Sequence, residues 1–325
     1  MLKPMLAGLS MLTLALVPAQ AADSPDRLYD RIVAEVVAPG FSNLASAARR
    51  HAAGWQSFCA APSEALREGL IVSFNDTADR WAEVEIFRSG PSSRDFRHER
   101  FHFWPERKNA VSRGLAALRA ESAAATPAQV SAASAAVQGL PALERLIFDD
   151  ELAADRCKLG PAIATNAAEL ASQMQAAWTT PAPMASAESR TALATDLVTS
   201  FAVIKDGKIE AVIGKTPAEV KPKAAEAWRS ARSFRNISHN LEGLARVNSV
   251  LASSLPEDAA LVSTTLQAQR IAAGLSGDLG AIATSDRRFE AVLLRDAVDS
   301  AEDRAAIEIP AALGVTIGFN SLDGD

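Results

Sequence analysis

The spacing of apolar residues predicts α-helices along most of the chain. After residue 24, apolar side chains recur at steps of three or four, the period of one helix face, at Leu28, Ile32, Val36, Leu44, Ala47 and Ala48. A second long helix is predicted to start at Pro62-Ser63, to carry the same spacing as far as Val84 and to stop at Gly90-Pro91, a pair that disfavours helix. Only Ile209–Ile213 has the composition of a short strand. The pattern therefore predicts an all-α fold.

Helical periodicity returns after a break near the middle of the chain. The predicted helices beyond it span residues 188–204, 224–255 and 258–274, and residues 289–312 are predicted to form one or two more. The break, Thr179–Pro183, combines threonines with prolines and is the best candidate for a linker. We therefore expect two helical-bundle domains, formed by residues 22–180 and residues 184–325.

The first 21 residues have the pattern of a secretory signal peptide. Lys3 gives a positive start, Leu6–Val17 is almost wholly apolar, and Ala19-Gln20-Ala21 offers a small-residue cleavage site. The apolar run is too short for a stable membrane span and polar residues follow it, which disfavours an uncleaved anchor. We expect cleavage after residue 21, a periplasmic location and no transmembrane segment in the mature chain.

Composition and charge exclude one class of partner. Hydrophobic residues make up 48% of the chain and charged residues 22%, the balance of a globular protein rather than a disordered one. Lys and Arg number 33 against 39 Asp and Glu, which gives a net charge of -6. Without a basic excess the protein is poorly suited to a phosphate backbone, so we expect no nucleic-acid partner.

The predicted export would expose the two cysteines, Cys59 and Cys157, to an oxidising compartment. Paired thiols in an oxidising compartment usually form a disulfide. A redox-active pair typically has the C-x-x-C spacing, which this sequence lacks. We therefore predict a structural disulfide between them.

Residues 98–102 read H-E-R-F-H, a match to the H-E-x-x-H motif of zinc peptidases. On a helix, His98 and His102 would share a face and bind one zinc ion, while Glu99 activates its water. Pro105 follows so closely that the supporting helix would be short. The alternative is a partly solvated basic segment over buried aromatic residues, with no metal.

One predicted helix in the second half carries polar residues suited to a ligand. Arg229, Ser233 and Asn236 share a predicted face, and a guanidinium offers planar donors to a carboxylate or another anion. The same residues could equally form a solvated surface or an internal network between the bundles. His239 and Glu242, three residues apart, could hold a metal ion or form a simple ion pair.

Several short segments, in order over nearly the whole mature chain, form a recognisable set. They are Arg88–Pro91, Phe103–Glu106, Gln138–Glu144, Ala225–Ser230, Ser233–Ile237, Leu313–Val315 and Gly318–Asn320. Together they resemble the imelysin-like family of bacterial exported proteins, and the paired cysteines also look like those of relatives. The resemblance implies two helical bundles with a site at their interface, a role linked to iron uptake, and other iron-uptake components as partners.

The hallmark of that family is G-x-H-x-x-E. Here Gly139 and Glu144 match it, but Pro141 stands at the histidine position. Proline has no metal-binding nitrogen, so a His/Glu metal pair cannot form at that place. Some members carry a metallopeptidase label, and the resemblance makes iron or zinc the metals to consider.

We interpret the chain as a non-catalytic, ligand- or metal-linked binding component with an unknown ligand. The residues expected to bind it in the interdomain cleft are Gly139, Glu144, Arg88, Arg229, Ser230 and Ser233. One alternative is a zinc-dependent peptidase that uses His98, Glu99 and His102. Another is a structural or partner-binding module without a small-ligand site.

Overall fold

The computed structural model describes residues 23–121, 124–180 and 182–318. The predicted signal peptide and Pro181 of the predicted linker lie outside these residues. The α-helices of the described chain are α1 (Pro25–Ile32), α2 (Ala38–Ala60), α3 (Glu64–Val84), α4 (Arg97–Phe101), α5 (Ala110–Glu121), α6 (Pro127–Ala132), α7 (Leu140–Phe148), α8 (Arg156–Thr179), α9 (Ala187–Ala202), α10 (Ala211–Ile213), α11 (Ser233–Leu251), α12 (Leu261–Gly274), α13 (Leu279–Ala283) and α14 (Arg288–Ala312).

Shorter helical segments connect these helices. Two of them are π-helical, Val33–Val37 between α1 and α2 and Val203–Glu210 between α9 and α10. The 3-10 segments are Pro91–Phe96, Ala135–Val137, Asp150–Asp155, Pro217–Glu219, Pro222–Ala224 and Ala252–Ser254. No residue that the structure describes lies in a β-strand, which confirms the predicted all-α fold for those residues.

The strand-like reading of Ile209–Ile213 is wrong, because this stretch is helical. Ile209, Val212 and Ile213 are fully buried, and their spacing of three and four residues places them on one helix face. Five residues are too few to distinguish the two-residue period of a strand from the 3.6-residue period of a helix. Burial against neighbouring helices determines the helical conformation here.

Two sets of long helices surround a continuous core. In the first part of the chain, α2 packs between α3 and α8, while in the second part α12 packs between α11 and α14. Helix α3 also packs against α11, where a Cβ on Gly243 would lie 2.3 Å from the carbonyl oxygen of Glu83. Glycine therefore permits this close approach, and the buried apolar residues of both sets form one cluster. The division at residues 180–184 stays a prediction.

Helix α11 begins later than the sequence pattern predicts. The apolar spacing extends one helix over residues 224–255, but α11 starts at Ser233. Ala227 and Ala231 have φ angles of 49° and 54°, in the left-handed region, which interrupts a right-handed helix. Arg229 and its neighbours therefore lie on a turn rather than on a helix face.

The predicted disulfide is confirmed. Cys59 in the last turn of α2 is bonded to Cys157 in the first turn of α8, and the two residues are 98 positions apart in the sequence. The bond joins two helices that already pack against each other. Among the described helices, none has both the length and the apolar character needed to cross a membrane.

The beginning of α1 and the segment after α14 meet at one side chain of α9. Arg190 forms an ion pair with Asp26 at 2.9 Å and donates to the carbonyl oxygen of Leu313 at 2.5 Å. Pro25 and Gly314 are in contact beside it, so closely that a Cβ on Gly314 would lie 2.9 Å from Pro25 Cγ. The two ends of the described chain are thus held together.

Candidate functional site

A pocket of about 130 Å³ opens where segments from both parts of the chain converge. It is lined by α3, the segment after α4, the first turn of α7, the turn before α11 and α11 itself. Its polar lining consists of His102, Glu106, Glu144, Lys223, Arg229 and Asn236. Its aromatic lining consists of Phe74, Trp81, Phe103, Trp104 and Trp228. Apolar walls with a few converging polar groups are typical of small-ligand sites.

Glu144 is fixed at the pocket wall by the turn before α11. Its Oε1 accepts hydrogen bonds from the backbone N–H of Ser230 at 2.9 Å and from Ser230 Oγ at 2.7 Å. Burial raises the pKa of Glu144, although these hydrogen bonds partly oppose the rise. The hydrogen-bond partner of Glu144 is therefore Ser230, the residue that follows Arg229.

Arg229 lies on the same turn and is held on two sides. Its Nε is 3.0 Å from both carboxylate oxygens of Asp149, and its guanidinium lies 4.3 Å from the centre of the Trp228 ring. Lys223 lies over the same ring at 5.5 Å. Cation–aromatic contacts of this kind fix the ring at the pocket wall.

Like Trp81, Asn236 lines the pocket with a buried polar atom that has no hydrogen-bond partner. Its side chain is 4% exposed, it lines the pocket, and its Oδ1 has no hydrogen-bond partner. Buried polar atoms in native proteins nearly always have a partner, so this oxygen is free to accept a hydrogen bond from a ligand.

A buried charge cluster lies beside the pocket, formed by Glu85, His102, Lys208, Glu226 and Asn240. Lys208 Nζ makes a close ion pair with Glu85, lies 2.8 Å from Glu226 Oε2 and donates to Asn240 Oδ1 at 2.8 Å. Asn240 Nδ2 in turn donates to Glu85 Oε1 at 2.6 Å. Lys208 belongs to the π-helical segment after α9, and such segments are frequent at functional sites.

Burial and charge act in opposite directions within this cluster. Burial alone would raise the pKa of Glu85, but Lys208 and then His102 together outweigh burial and hold that pKa well below its usual range. Burial alone would lower the pKa of Lys208, but Glu226 and then Glu85 raise it. The Glu85 carboxylate and the Lys208 ammonium therefore stabilise each other's charged form.

His239 belongs to a separate ionic network between α3 and α11. Its Nδ1 lies 3.2 Å from Glu242 and 3.4 Å from Glu83, and its Nε2 lies 3.3 Å from Asp79. Burial would lower the pKa of His239, but Glu242 first and then Glu83 raise it to about 9. The charged imidazolium itself balances these carboxylates, so the geometry favours the simple ion pair over a metal site.

Comparison with known proteins identifies the family. The family model for Imelysin (Peptidase_M75) matches residues 37–314. The chain belongs to the imelysin family. No curated protein matches it significantly.

Two solved structures share the fold of this imelysin. One is an imelysin-like protein from Psychrobacter arcticus 273-4, with a TM-score of 0.79 and 20% identity, over 92% of this chain and 100% of that one. The other is a protein from Parabacteroides distasonis ATCC 8503 described as an iron-regulated protein A precursor. It has a TM-score of 0.58 and 13% identity, over 92% of this chain and 95% of that one.

The metal pair implied by the family hallmark does not fit this imelysin. Pro141 lines the pocket in the first turn of α7 and offers no ligand atom there. Glu144 lies on the same helix, but Ser230 already occupies its Oε1. We therefore derive no metal chemistry from this position.

Of the predicted cleft residues, only Glu144 and Arg229 line the pocket, and Ser230 lies behind them. Gly139 is buried against the backbone of Phe101, and Ser233 Oγ donates to the carbonyl oxygen of Glu226 at 2.7 Å. Arg88 is exposed and borders a separate recess beside the Lys208 ammonium. The structure thus joins Glu144, Arg229 and Ser230, whereas Gly139, Ser233 and Arg88 contribute packing and charge around them.

The two histidines of the H-E-x-x-H match have different surroundings. His98 is buried against the Trp81 ring at 4.6 Å between ring centres, and burial lowers its pKa to about 3. Glu99 is exposed, and α4 has only five residues. Among the described residues, neither His98 nor Glu99 belongs to a trio of potential metal ligands. His102 instead faces Glu85 and Glu226, and no pattern in the sequence connects these three residues.

Proposed function

We propose that this imelysin is a periplasmic, non-catalytic binding protein that holds a small ligand in the pocket beside Glu144 and serves iron uptake. The observation that carries the proposal is the buried Oδ1 of Asn236, which lines the pocket without a hydrogen-bond partner. Leaving such an atom unsatisfied costs about 1–3 kcal/mol, and a donor on a bound ligand removes that cost.

The surrounding residues support binding rather than reaction. Glu144 and Arg229 are each held by a neighbouring side chain, so they present fixed charges at the pocket wall. The aromatic rings of Trp104 and Trp228 add flat apolar surface. The link to iron uptake is supported by membership of the imelysin family and by the shared fold with a protein described as an iron-regulated protein A precursor.

A thermal-shift screen tests the binding function. The purified protein is heated with ferric citrate, small carboxylates and small amines, and we expect at least one of them to raise its Tm. The same compound should give no shift with Asn236→Ala, which removes the free acceptor, and a reduced shift with Glu144→Gln.

Asn248→Ala is the matched control for Asn236→Ala. Asn248 is a fully buried asparagine on the same helix, and its Oδ1 also lacks a hydrogen-bond partner, but it does not line the pocket. Its replacement should lower Tm and leave the ligand-induced shift intact. The protein is instead a structural or partner-binding module if no compound shifts its Tm and if Asn236→Ala and Glu144→Gln do no more than lower that Tm.

The peptidase alternative has its own test. Hydrolysis of an unfolded protein substrate that is lost in both His98→Ala and Glu99→Gln would contradict the non-catalytic proposal. We expect no hydrolysis above that of the Glu99→Gln variant, because Glu99 is exposed while His98 is enclosed.

A further inference from the structure

The buried charge cluster beside the pocket brings together three side chains of the kinds that bind metal ions. Glu85, His102 and Glu226 each present one potential ligand atom, and these atoms all lie within 4.8 Å of one another. Glu226 is 2% exposed, and the side chains of His102 and Glu85 are 10% and 7% exposed. Two carboxylates and an imidazole are ligands that first-row divalent metal ions bind in proteins.

The ligand atoms lack the contacts that such burial normally requires. Glu226 Oε1 has no hydrogen-bond partner, and its neighbour His102 Nε2 lies 3.4 Å away. His102 Nδ1 lies 3.6 Å from Glu85 Oε2, so both separations exceed the usual length of an N–H···O hydrogen bond. A neutral imidazole also has only one N–H and can donate to only one of the two carboxylates. A cation between these groups would satisfy both.

We propose that Glu85, His102 and Glu226 bind a divalent transition-metal ion, and that the Lys208 ammonium is a built-in competitor for the same carboxylates. Lys208 contacts both Glu85 and Glu226, the two carboxylates of the trio. A metal ion between them must weaken at least one of these ion pairs. Asn240 Oδ1 already accepts a hydrogen bond from Lys208 Nζ at 2.8 Å, so the ammonium would still have one partner after losing an ion pair.

This inference rests on the proposed function in one respect, which is the route of the ion. His102 lines the ligand pocket, so an ion that enters the pocket reaches the imidazole first and the two carboxylates behind it. The binding site itself contains neither Glu144 nor Asn236. Metal binding and binding of the pocket ligand can therefore fail independently.

The second trio of potential ligands provides the contrast. Glu83, His239 and Glu242 also lie within 4.8 Å of one another. However, Arg80 and Arg246 contact Glu83 at 2.7 and 3.0 Å, so this carboxylate is already paired with two guanidinium groups. We expect no tight metal binding there.

Calorimetric titration of the purified, chelator-treated protein with Zn²⁺, repeated with Mn²⁺, tests the proposal. We expect one tight equivalent of Zn²⁺, with the affinity reduced by about tenfold or more in Glu226→Gln and in His102→Gln. Glu226→Gln keeps the shape of the side chain and lowers the buried charge, so the variant should remain folded. His239→Gln is the matched control and should bind Zn²⁺ as the unmodified protein does.

Lys208→Met tests the competition. Without the ammonium, two facing carboxylates repel each other, so the metal-free variant should have a lower Tm than the unmodified protein. Zn²⁺ should restore that Tm and bind about tenfold more tightly, or better, than it does to the unmodified protein.

The proposal is overturned if Zn²⁺ and Mn²⁺ fail to bind, if Glu226→Gln and His102→Gln bind them unchanged, or if only His239→Gln loses binding. Tighter binding in Glu226→Gln would also overturn it, whether or not Lys208→Met folds.

The Asn236→Ala variant separates the metal-binding proposal from the proposed function. If it loses the pocket ligand but keeps Zn²⁺, both hold. If no pocket ligand exists but Zn²⁺ still depends on Glu226, only the proposed function fails.

Discussion

Gly139 occupies a place where no side chain fits. A Cβ there would lie 2.0 Å from the carbonyl oxygen of Phe101, which is backbone and cannot swing aside. We expect Gly139→Ala to lower the free energy of unfolding by about 3 kcal/mol or more, because the start of α7 must move away from α4. Chemical denaturation measures the loss. Gly69→Ala is the control, since a Cβ there meets nothing within 4 Å, and equal losses in both variants would contradict this explanation.

Asp196 makes the stability depend on pH in an uncommon direction. Its Oδ2 accepts hydrogen bonds from the N–H and Oγ of Ser89, both at 2.7 Å, but burial raises the pKa of Asp196 from 3.8 to about 6. The folded protein therefore holds this proton more tightly than the unfolded chain. The resulting contribution to stability is present below pH 4 and is lost as the pH rises through 6.

Asp196→Asn should remove that dependence. The rise in pKa corresponds to about 3 kcal/mol, so unfolding free energies of the two proteins should diverge by up to that amount between pH 4 and pH 7. Urea denaturation at several pH values measures the difference. Asp206→Asn, which changes a carboxylate whose side chain is 59% exposed, serves as the control. A constant difference between Asp196→Asn and the unmodified protein across this range would refute the assignment.

At the scale of elements, the disulfide keeps the segments that form α2 and α8 linked even when the chain is unfolded. Because Cys59 and Cys157 are 98 residues apart, the bond removes a large amount of chain entropy before folding begins. We expect the double change Cys59→Ala and Cys157→Ala to lower the free energy of unfolding by about 2–5 kcal/mol. Urea denaturation with and without reductant measures it. Reductant should destabilise only the unmodified protein, and the same response in the double variant would contradict the prediction.

Helix prediction succeeded where one face of the helix is buried. Helix α14 lies within one residue of the predicted stretch 289–312, and α3 begins within one residue of the predicted start at Ser63, because a helix packed on one side repeats its apolar residues every three or four positions. Helix α3 ends at Val84, before the predicted stop at Gly90. The start of α11 could not be predicted in this way. Alanine favours helices, and nothing in the sequence around Ala227 and Ala231 marks a left-handed backbone.

The candidate site was predictable only where its residues are close in sequence or belong to the family segments. Arg229 and Ser230 are adjacent, and Glu144 matches the family hallmark. The charge cluster was not predictable, because Glu85 and Lys208 come from distant segments. A buried lysine is recognisable only when the packing that encloses it is known.

At the scale of the whole molecule, the predicted export can be tested on the N-terminus. We expect protein recovered from the periplasm to begin at Ala22, because Ala19 and Ala21 form the predicted cleavage site. Intact-mass measurement would show the loss of residues 1–21. Replacing Ala21 by Phe should leave the longer precursor, while replacing Ala22 by Ser should not. A full-length protein confined to the cytoplasm would refute the prediction.

The contact between Pro25 and Gly314 joins the first described helix to a segment that is synthesised near the end of the chain, so it limits when folding can finish. Synthesis proceeds from the N-terminus, so α1 is made first, yet it packs against α9 and α11 and is tied through Arg190 to the segment after α14. Leu28 and Ile32 therefore stay uncovered until nearly all of the described chain has been made. The first helix of the described chain is therefore among the last to find its full set of neighbours, and the fold closes only after α14 has been made.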